Sequence, residues 1–132
     1  PYGVSSIRET LEKIGVLAAM DKDYKLFHDA HEEAIKRYLS SAPTQTVVQH
    51  QQFELSSQYK LVQYDVSLEH DAHPVSYSDM HGLNAQSTLA EVYEHLKGAR
   101  AGAVFIYDNE PDKIIGVIPW NILQSYLQKA QF

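Results

Sequence analysis

The chain has 132 residues, of which 44% are hydrophobic and 21% charged, with a formal net charge of −6 and no cysteine. This composition is typical of one globular domain or of two small subdomains that share a core. The missing cysteine excludes a disulfide scaffold, a thiolate metal site and a cysteine nucleophile. The absence of a basic cluster argues against a nucleic-acid partner. No apolar run reaches the roughly 18–20 residues that cross a bilayer, so we expect no direct membrane insertion.

The chain opens with an amphipathic pattern from Ser5 to Met20. Ile7, Leu11 and Ile14 fall on one face at helical spacing. We expect residues 1–21 to form a connector helix.

Two later segments carry the same helical pattern behind a possible N-terminal cap. Asp29 with Glu32, and Thr88 with Glu91, have the spacing of a capping box. Each pair precedes a stripe of apolar residues at helical spacing, which predicts two core-facing helices. The stripes are Ala34, Ile35, Tyr38 and Leu39 in the first segment and Leu89, Val92, Tyr93 and Leu96 in the second.

Strand-like runs follow each of these helices. Thr46–Val48 begins a strand. The polar run Gln49–Gln52 interrupts the apolar pattern, which Phe53–Leu55 resumes, and Tyr59–Val66 reads as another strand. Ala103–Tyr107 and Lys113–Ile118 flank a polar turn and predict an antiparallel hairpin. Because the hairpin strands are apolar on both faces, both faces need cover.

The order of elements repeats within the chain. His31–Leu39 aligns with Thr88–Leu96 at an offset of 57 residues, and Lys60–Val62 aligns with Lys113–Ile115 at an offset of 53. A short helix at Ser67–His70 would complete the first copy. The predicted fold is therefore α+β: two β-α-β-β-α repeats packed sheet to sheet with pseudo-two-fold symmetry, after the N-terminal helix. The expected boundaries are 22–70 for the first, divergent repeat, 71–82 for a linker and 83–132 for the second repeat.

The second repeat carries motifs of a known family. Ser78–Met80, Gln86–Glu91, Gly102–Asp108 and Lys113–Ile118 resemble the CBS domain family, named after cystathionine β-synthase. The resemblance covers about residues 22 to 130 as a tandem pair, or Bateman module. It implies a non-catalytic regulatory module of a larger cytoplasmic or membrane transport protein, which forms a homodimer and in many members binds ATP, ADP or AMP.

The same resemblance implies a nucleotide site. Its residues would be Gly102, Ala103, Pro119, Trp120 and Asn121, with Ser67 and Glu69 in the opposite cleft. The family places a Thr or Ser and then, three residues later, an Asp after the glycine of its last strand. Here Gly116 is present, but Pro119 and Ile122 stand at those two positions. A purely structural or dimer-forming pair without a ligand therefore stays open beside the sensor.

The N-terminal segment adds an expectation about the host protein. Ser6–Leu17 resembles the segment that joins the last membrane helix of chloride channel and transporter proteins to their cytoplasmic CBS pair. It implies a cytoplasmic location, as the C-terminal domain of an inner-membrane protein.

A metal-binding module is the alternative from another class. The tetrapeptide His-Asp-Ala-His occurs twice, with His28 and His31 in the first copy and His70 and His73 in the second. Two such pairs offer four ligands for a tetrahedral metal ion, whereas solvated surface histidines are the simpler interpretation. No nucleophile motif accompanies them, so we expect no enzyme. Trp120 is either a core residue or a contact at a dimer face or ligand cleft.

Overall fold

The computed structural model describes residues 2–29, 31–65 and 75–130. Five helices and seven strands follow one another in these ranges, and none of the helices is long and apolar enough to span a membrane. The elements in chain order are α1 Tyr2–Glu12, α2 Val16–Ala19, β1 Tyr24–His28, α3 Glu32–Ser41, β2 Thr46–Gln52, β3 Ser57–Tyr64, β4 Val75–Asp79, β5 His81–Asn84, α4 Leu89–Leu96, β6 Ala103–Tyr107, β7 Ile114–Pro119 and α5 Trp120–Ala130. They form two compact units: a first unit of Asp23–Met80, and a second unit of Pro1–Lys22 with His81–Phe132.

The first unit is a four-stranded sheet in the order β1-β2-β3-β4, with α3 as the crossover between its first two strands. Strand β1 runs parallel to β2, and the other pairs are antiparallel. The crossover helix buries Ile35 and Leu39 against the sheet residues Val47, Val62 and Val75. This apolar cluster is the core that holds α3 on one face of the sheet.

The second unit repeats this plan with a three-stranded sheet in the order β5-β6-β7. Strand β5 runs parallel to β6 with α4 between them, and β6 and β7 form the predicted antiparallel hairpin. Both faces of β6 are buried, since Val104, Phe105 and Ile106 are at most 7% exposed. The core of this unit also takes in Leu123 of α5.

The structure confirms the α+β fold and its internal repeat. The offset of 57 residues places α3 on α4 and β2 on β6, and it also relates Tyr24 at the start of β1 to His81 at the start of β5. Both units therefore share a parallel β-α-β crossover followed by an antiparallel strand. The short helix expected at Ser67–His70 lies outside the described residues.

The N-terminal segment forms two helices, not the single predicted helix, and it belongs to the second unit. The helical conformation is interrupted at Gly15, whose backbone is extended and pairs with that of Thr88. The N–H of Val16 donates to the carbonyl oxygen of Ser87 at 3.0 Å, and the N–H of Leu89 donates to that of Ile14 at 2.9 Å. The segment is thus joined through its backbone to the loop before α4.

The two predicted capping boxes are not formed. Thr88 is the N-cap of α4 but makes no side-chain cap bond. The N–H of Glu91, at a position where an N-cap hydroxyl usually accepts, donates to the carbonyl oxygen of Thr88 at 3.1 Å. In the first unit the N-cap of α3 is His31, with no side-chain cap bond either.

Asp29 has a different role from the predicted one. It lies in the left-handed region at φ +45°, and its carboxylate accepts the backbone N–H of Gln52 at 3.2 Å. The side chain therefore joins the end of β1 to the end of β2. A short polar side chain is one of the few that adopt this backbone conformation readily.

Strands also cover two polar segments that the apolar pattern does not mark. The polar run after Val48 continues β2 to Gln52, because Gln49 and His50 are buried in cross-strand pairs with residues of β1 and β3. Strand β4 and the start of β5 lie within residues 71–82, the expected linker. The predicted boundaries of the two repeats stay a prediction.

Candidate functional site

The five site residues predicted in the second repeat meet where β6 begins and β7 ends. Ala103 of β6 pairs with Pro119 of β7. The backbone N–H of Trp120, the first residue of α5, donates to the carbonyl oxygen of Gly102 at 2.9 Å. Gly102 has φ +86°, a conformation that a glycine adopts without strain. We call Gly102, Ala103, Pro119, Trp120 and Asn121 the β7–α5 junction.

The side chains of this junction offer little ionic chemistry. Pro119 ends an edge strand and has no hydroxyl, and Ile122 packs against the apolar core. Asn121 is exposed, and its Oδ1 accepts the N–H of Ile122 at 3.0 Å. Recognition at the junction would therefore depend on backbone groups, the Trp120 ring and one carboxamide.

The glycine of the last strand has a packing role. An ideal Cβ on Gly116 would lie 2.7 Å from Cγ and 2.9 Å from Cβ of Met20, so the Met20 side chain fills the place of a side chain there. One residue on, the backbone of Asp21 exchanges two hydrogen bonds with that of Val117, of 2.8 and 3.0 Å. The N-terminal segment thus covers the free edge of β7 just before the junction.

A cavity of about 520 Å³ lies beside the junction, between α4 and α5. Its apolar lining includes half-buried rings of Tyr93 and Trp120. We call this cavity the α4–α5 groove. Its lining residues are Ile7, Tyr93, Lys97, Arg100, Trp120, Gln124, Leu127 and Gln128.

Two basic residues, Lys97 and Arg100, lie in the lining of the groove. Nζ of Lys97 lies 2.9 Å from a carboxylate oxygen of Glu94, and Arg8 approaches the same carboxylate at 3.7 Å. The hydrogen bond from Lys97, aided by the charges of Lys97, Arg8 and His95, lowers the pKa of Glu94. Within the described part of the chain, the guanidinium of Arg100 forms no ion pair or side-chain hydrogen bond.

The other predicted site residues are not brought to this place. Ser67, Glu69, His70 and His73 lie outside the described residues. Nδ1 of His28, the last residue of β1, lies 2.9 Å from Nδ1 of His50 on the neighbouring strand, and His31 is the N-cap of α3. Residues 2–29, 31–65 and 75–130 contain no group of three potential metal ligands, and the metal-binding alternative is not favoured.

Comparison with known proteins finds likeness in structure only. No protein-family model and no curated protein sequence matches the chain. The CBS domain of a bacterial CNNM/CorC family Mg²⁺ transporter, solved with an inhibitor, superposes with a TM-score of 0.69 at 12% identity, over 95% of this chain and 82% of that chain. The chain has the CBS-domain fold.

Two further structures with this fold widen the comparison. A conserved protein from Pyrococcus horikoshii gives a TM-score of 0.58 at 14% identity, over 86% of this chain and 92% of that chain. The cytosolic domain of the Mg²⁺ channel MgtE in complex with ATP gives 0.58 at 12% identity, over 94% of this chain and 52% of that chain. Neither Mg²⁺ transport protein is a chloride channel, so the predicted chloride-channel host is not supported.

Sequence reasoning missed the groove on the helical side of the CBS-domain fold. Helical spacing relates Tyr93 to Lys97 and Arg100, and it also relates Trp120 to Gln124. Each stripe was visible in the sequence. The two sets of residues line one cavity only because α4 and α5 lie close together in the fold. Residue spacing within one helix does not predict that tertiary contact.

Proposed function

We propose that this chain is a non-catalytic regulatory module of a larger membrane transport protein. The observation that carries the proposal is the CBS-domain fold, shared over 95% of the chain with a domain of a CNNM/CorC family Mg²⁺ transporter. The cytosolic domain of the MgtE channel, another protein that moves Mg²⁺, has the same fold. We place the module on the cytoplasmic side of the membrane and expect it to act as a homodimer.

The ligand proposed for the module is an adenosine nucleotide at the β7–α5 junction. The MgtE domain with this fold was solved in complex with ATP, which makes the nucleotide the first ligand to test. Gly102 presents backbone without a side chain, and Trp120 and Asn121 offer a ring face and a carboxamide. These groups suit a heterocycle and a ribose hydroxyl better than a metal ion.

The proposed mechanism is a shift in population between two arrangements of the module. A ligand acts only through a difference in its affinity for the two states. A structural change at the ligand site would pass from Pro119 back along β7 to Val117, whose backbone forms hydrogen bonds with Asp21. Asp21 follows α1 and α2, so a displacement of the end of β7 reaches the N-terminal helices directly.

Thermal unfolding with ATP, ADP, AMP and S-adenosylmethionine tests the sensor. A nucleotide at one hundred times its Kd stabilises the folded state by about 2.7 kcal/mol, which for a domain of this size raises the Tm by several degrees. Asn121→Ala should reduce the shift, whereas Ser125→Ala, an exposed change on the same helix, should leave it unchanged. No stabilisation by any of the four at millimolar concentration would remove the sensor and leave a regulatory module that acts by assembly alone.

A further inference from the structure

The α4–α5 groove has basic residues in its lining although the chain is acidic. The formal net charge is −6, yet the described lining of the groove holds two cations, Lys97 and Arg100, and no carboxylate. We propose that the groove binds a flat ring that carries a phosphate group. The proposal does not depend on the adenosine nucleotide, which is one source of such a ring among others.

The shape and lining of the groove fit the ring. A volume of about 520 Å³ is within the range of small-molecule sites, roughly 300–1,000 Å³. Tyr93 and Trp120 are half-buried, so each ring is anchored in the protein and still presents surface to the cavity. Ile7 and Leu127 add aliphatic surface to the same lining. Nζ of Lys97 lies 5.9 Å from the centroid of the Tyr93 ring, so an aromatic ligand would stack on Trp120 and gain apolar contact with Ile7 and Leu127.

The polar lining fits the phosphate. The guanidinium of Arg100 has no ion-pair partner among the described residues. Its planar arrangement of N–H donors matches phosphate oxygens. Its backbone is held at φ +51°, with its N–H donated to the carbonyl oxygen of Leu96 at 2.9 Å, so the side chain starts from a defined point. The carboxamides of Gln124 and Gln128 supply further donors.

Lys97 can serve the ligand although it pairs with Glu94. Both side chains of that pair are about half exposed, at 49% and 45%, and exposed ion pairs are weak. An ammonium group has three N–H donors, so one bond to Glu94 leaves two for a ligand. Two cations match the charge of a phosphate monoester near neutral pH, about −1.5 to −2, better than the single charge of a carboxylate.

Fluorescence of the single tryptophan gives a direct test, because Trp120 lines the groove. The probes are phenyl phosphate, phenol for the ring alone, inorganic phosphate for the anion alone, benzoate for a carboxylate, and AMP with adenosine. We expect a saturable change with phenyl phosphate and at least about tenfold weaker binding of phenol, inorganic phosphate and benzoate.

The test variant is Arg100→Asn, because asparagine tolerates the left-handed backbone and removes the cation. Phenyl phosphate should bind this variant about tenfold or more weakly. Lys113→Gln also removes one cation from the second unit, at the β6–β7 turn where Lys113 pairs with Glu110, and should bind as the wild type does. Lys97→Gln provides a second variant if Arg100→Asn does not fold.

The outcomes separate this proposal from the nucleotide sensor. Equal affinity of the wild type and Arg100→Asn for phenyl phosphate, or binding no tighter than that of phenol, would overturn the phosphate site. Phenyl phosphate binding that is lost in Arg100→Asn, with nucleotide stabilisation unchanged in that variant, would support the groove as a site separate from the sensor. AMP binding tighter than phenyl phosphate and dependent on Arg100 would support the site and identify a nucleotide as its source. Phenyl phosphate binding that depends on Arg100, with no binding of ATP, ADP, AMP or S-adenosylmethionine, would support the site and overturn the sensor.

Discussion

Met20 packs its side chain onto the bare α-carbon of Gly116. The sulfur, Cγ and Cβ of Met20 occupy the space where a β-carbon on Gly116 would stand, with Cγ 2.7 Å and Cβ 2.9 Å from that position. Gly116 is buried in β7, and Met20 comes from the end of the N-terminal segment. The contact holds that segment against the hairpin three residues before Pro119. Packing alone therefore explains why position 116 is a glycine.

Gly116→Ala should therefore destabilise the chain. Real β-carbons do not come this close to their neighbours, so Met20 or β7 has to move, at a cost of about 1–3 kcal/mol for overpacking. Urea unfolding measures the loss. Gly98→Ala is the matched control, because nothing lies within 4 Å of a β-carbon there.

The Met20 contact itself can be tested in a double-mutant cycle. In a Met20→Ala background the added methyl of Gly116→Ala should cost clearly less than in the wild type, because the atoms it meets beyond Cβ are gone. Equal costs in both backgrounds would show that the contact does not exist in solution.

The N-terminal segment should contribute to the stability of the second unit. Leu11 of α1 is fully buried in the core of that unit, so Leu11→Ala should cost about 2–5 kcal/mol. Leu17 in α2 is 50% exposed, and Leu17→Ala should cost much less. Chemical denaturation of the two variants provides the comparison. Similar, small losses for both would mean that α1 does not dock on this unit.

Acid should weaken the second unit through His81. Its ring stacks on His95 with the centroids 3.7 Å apart, and partial desolvation followed by the charge of His95 lowers the pKa of His81 below 6.5. The unfolded chain then binds the proton more readily than the folded chain, so stability rises with pH. The contribution is present above about pH 6.5 and is lost as the pH falls from there through the lower folded pKa.

His81→Gln should flatten that pH dependence. The measurement is the urea midpoint at a series of pH values on both sides of 6.5, for the wild type and the variant. His31→Gln, an exposed change in the first unit, is the control and should keep the wild-type slope. An identical slope in His81→Gln would show that another group causes the acid loss.

Much of the architecture was predictable because it depends on local periodicity. The apolar stripes that end at Leu39 and Leu96 predicted α3 and α4, and the offset between them predicted the repeat. The hairpin of β6 and β7 followed from two apolar runs around a polar turn. These features are encoded within short windows of the sequence.

The errors lie where tertiary contacts replace local rules. Gln49 and His50 interrupt the apolar pattern of the sequence, yet they lie within β2, where cross-strand partners bury them. Thr88 was expected from spacing alone to cap α4 with its side chain, but that bond is not formed, and the backbone of Thr88 pairs with Gly15, distant in the sequence. Long-range partners of this kind are not visible in one sequence.

The candidate site was predictable only in part. The family resemblance named the β7–α5 junction, and the structure places those five residues side by side. The resemblance could not name Arg100 or Gln124, because the groove exists only where two helices meet.

Amide chemical shifts of the isotope-labelled chain on titration with AMP and ATP test the central claim most directly. A nucleotide sensor at the β7–α5 junction predicts saturable shifts centred on Gly102, Ala103, Trp120 and Asn121, with smaller changes at Asp21 through its bonds to Val117. Spectra that do not change at millimolar nucleotide, or changes that spare these four residues, would contradict the account.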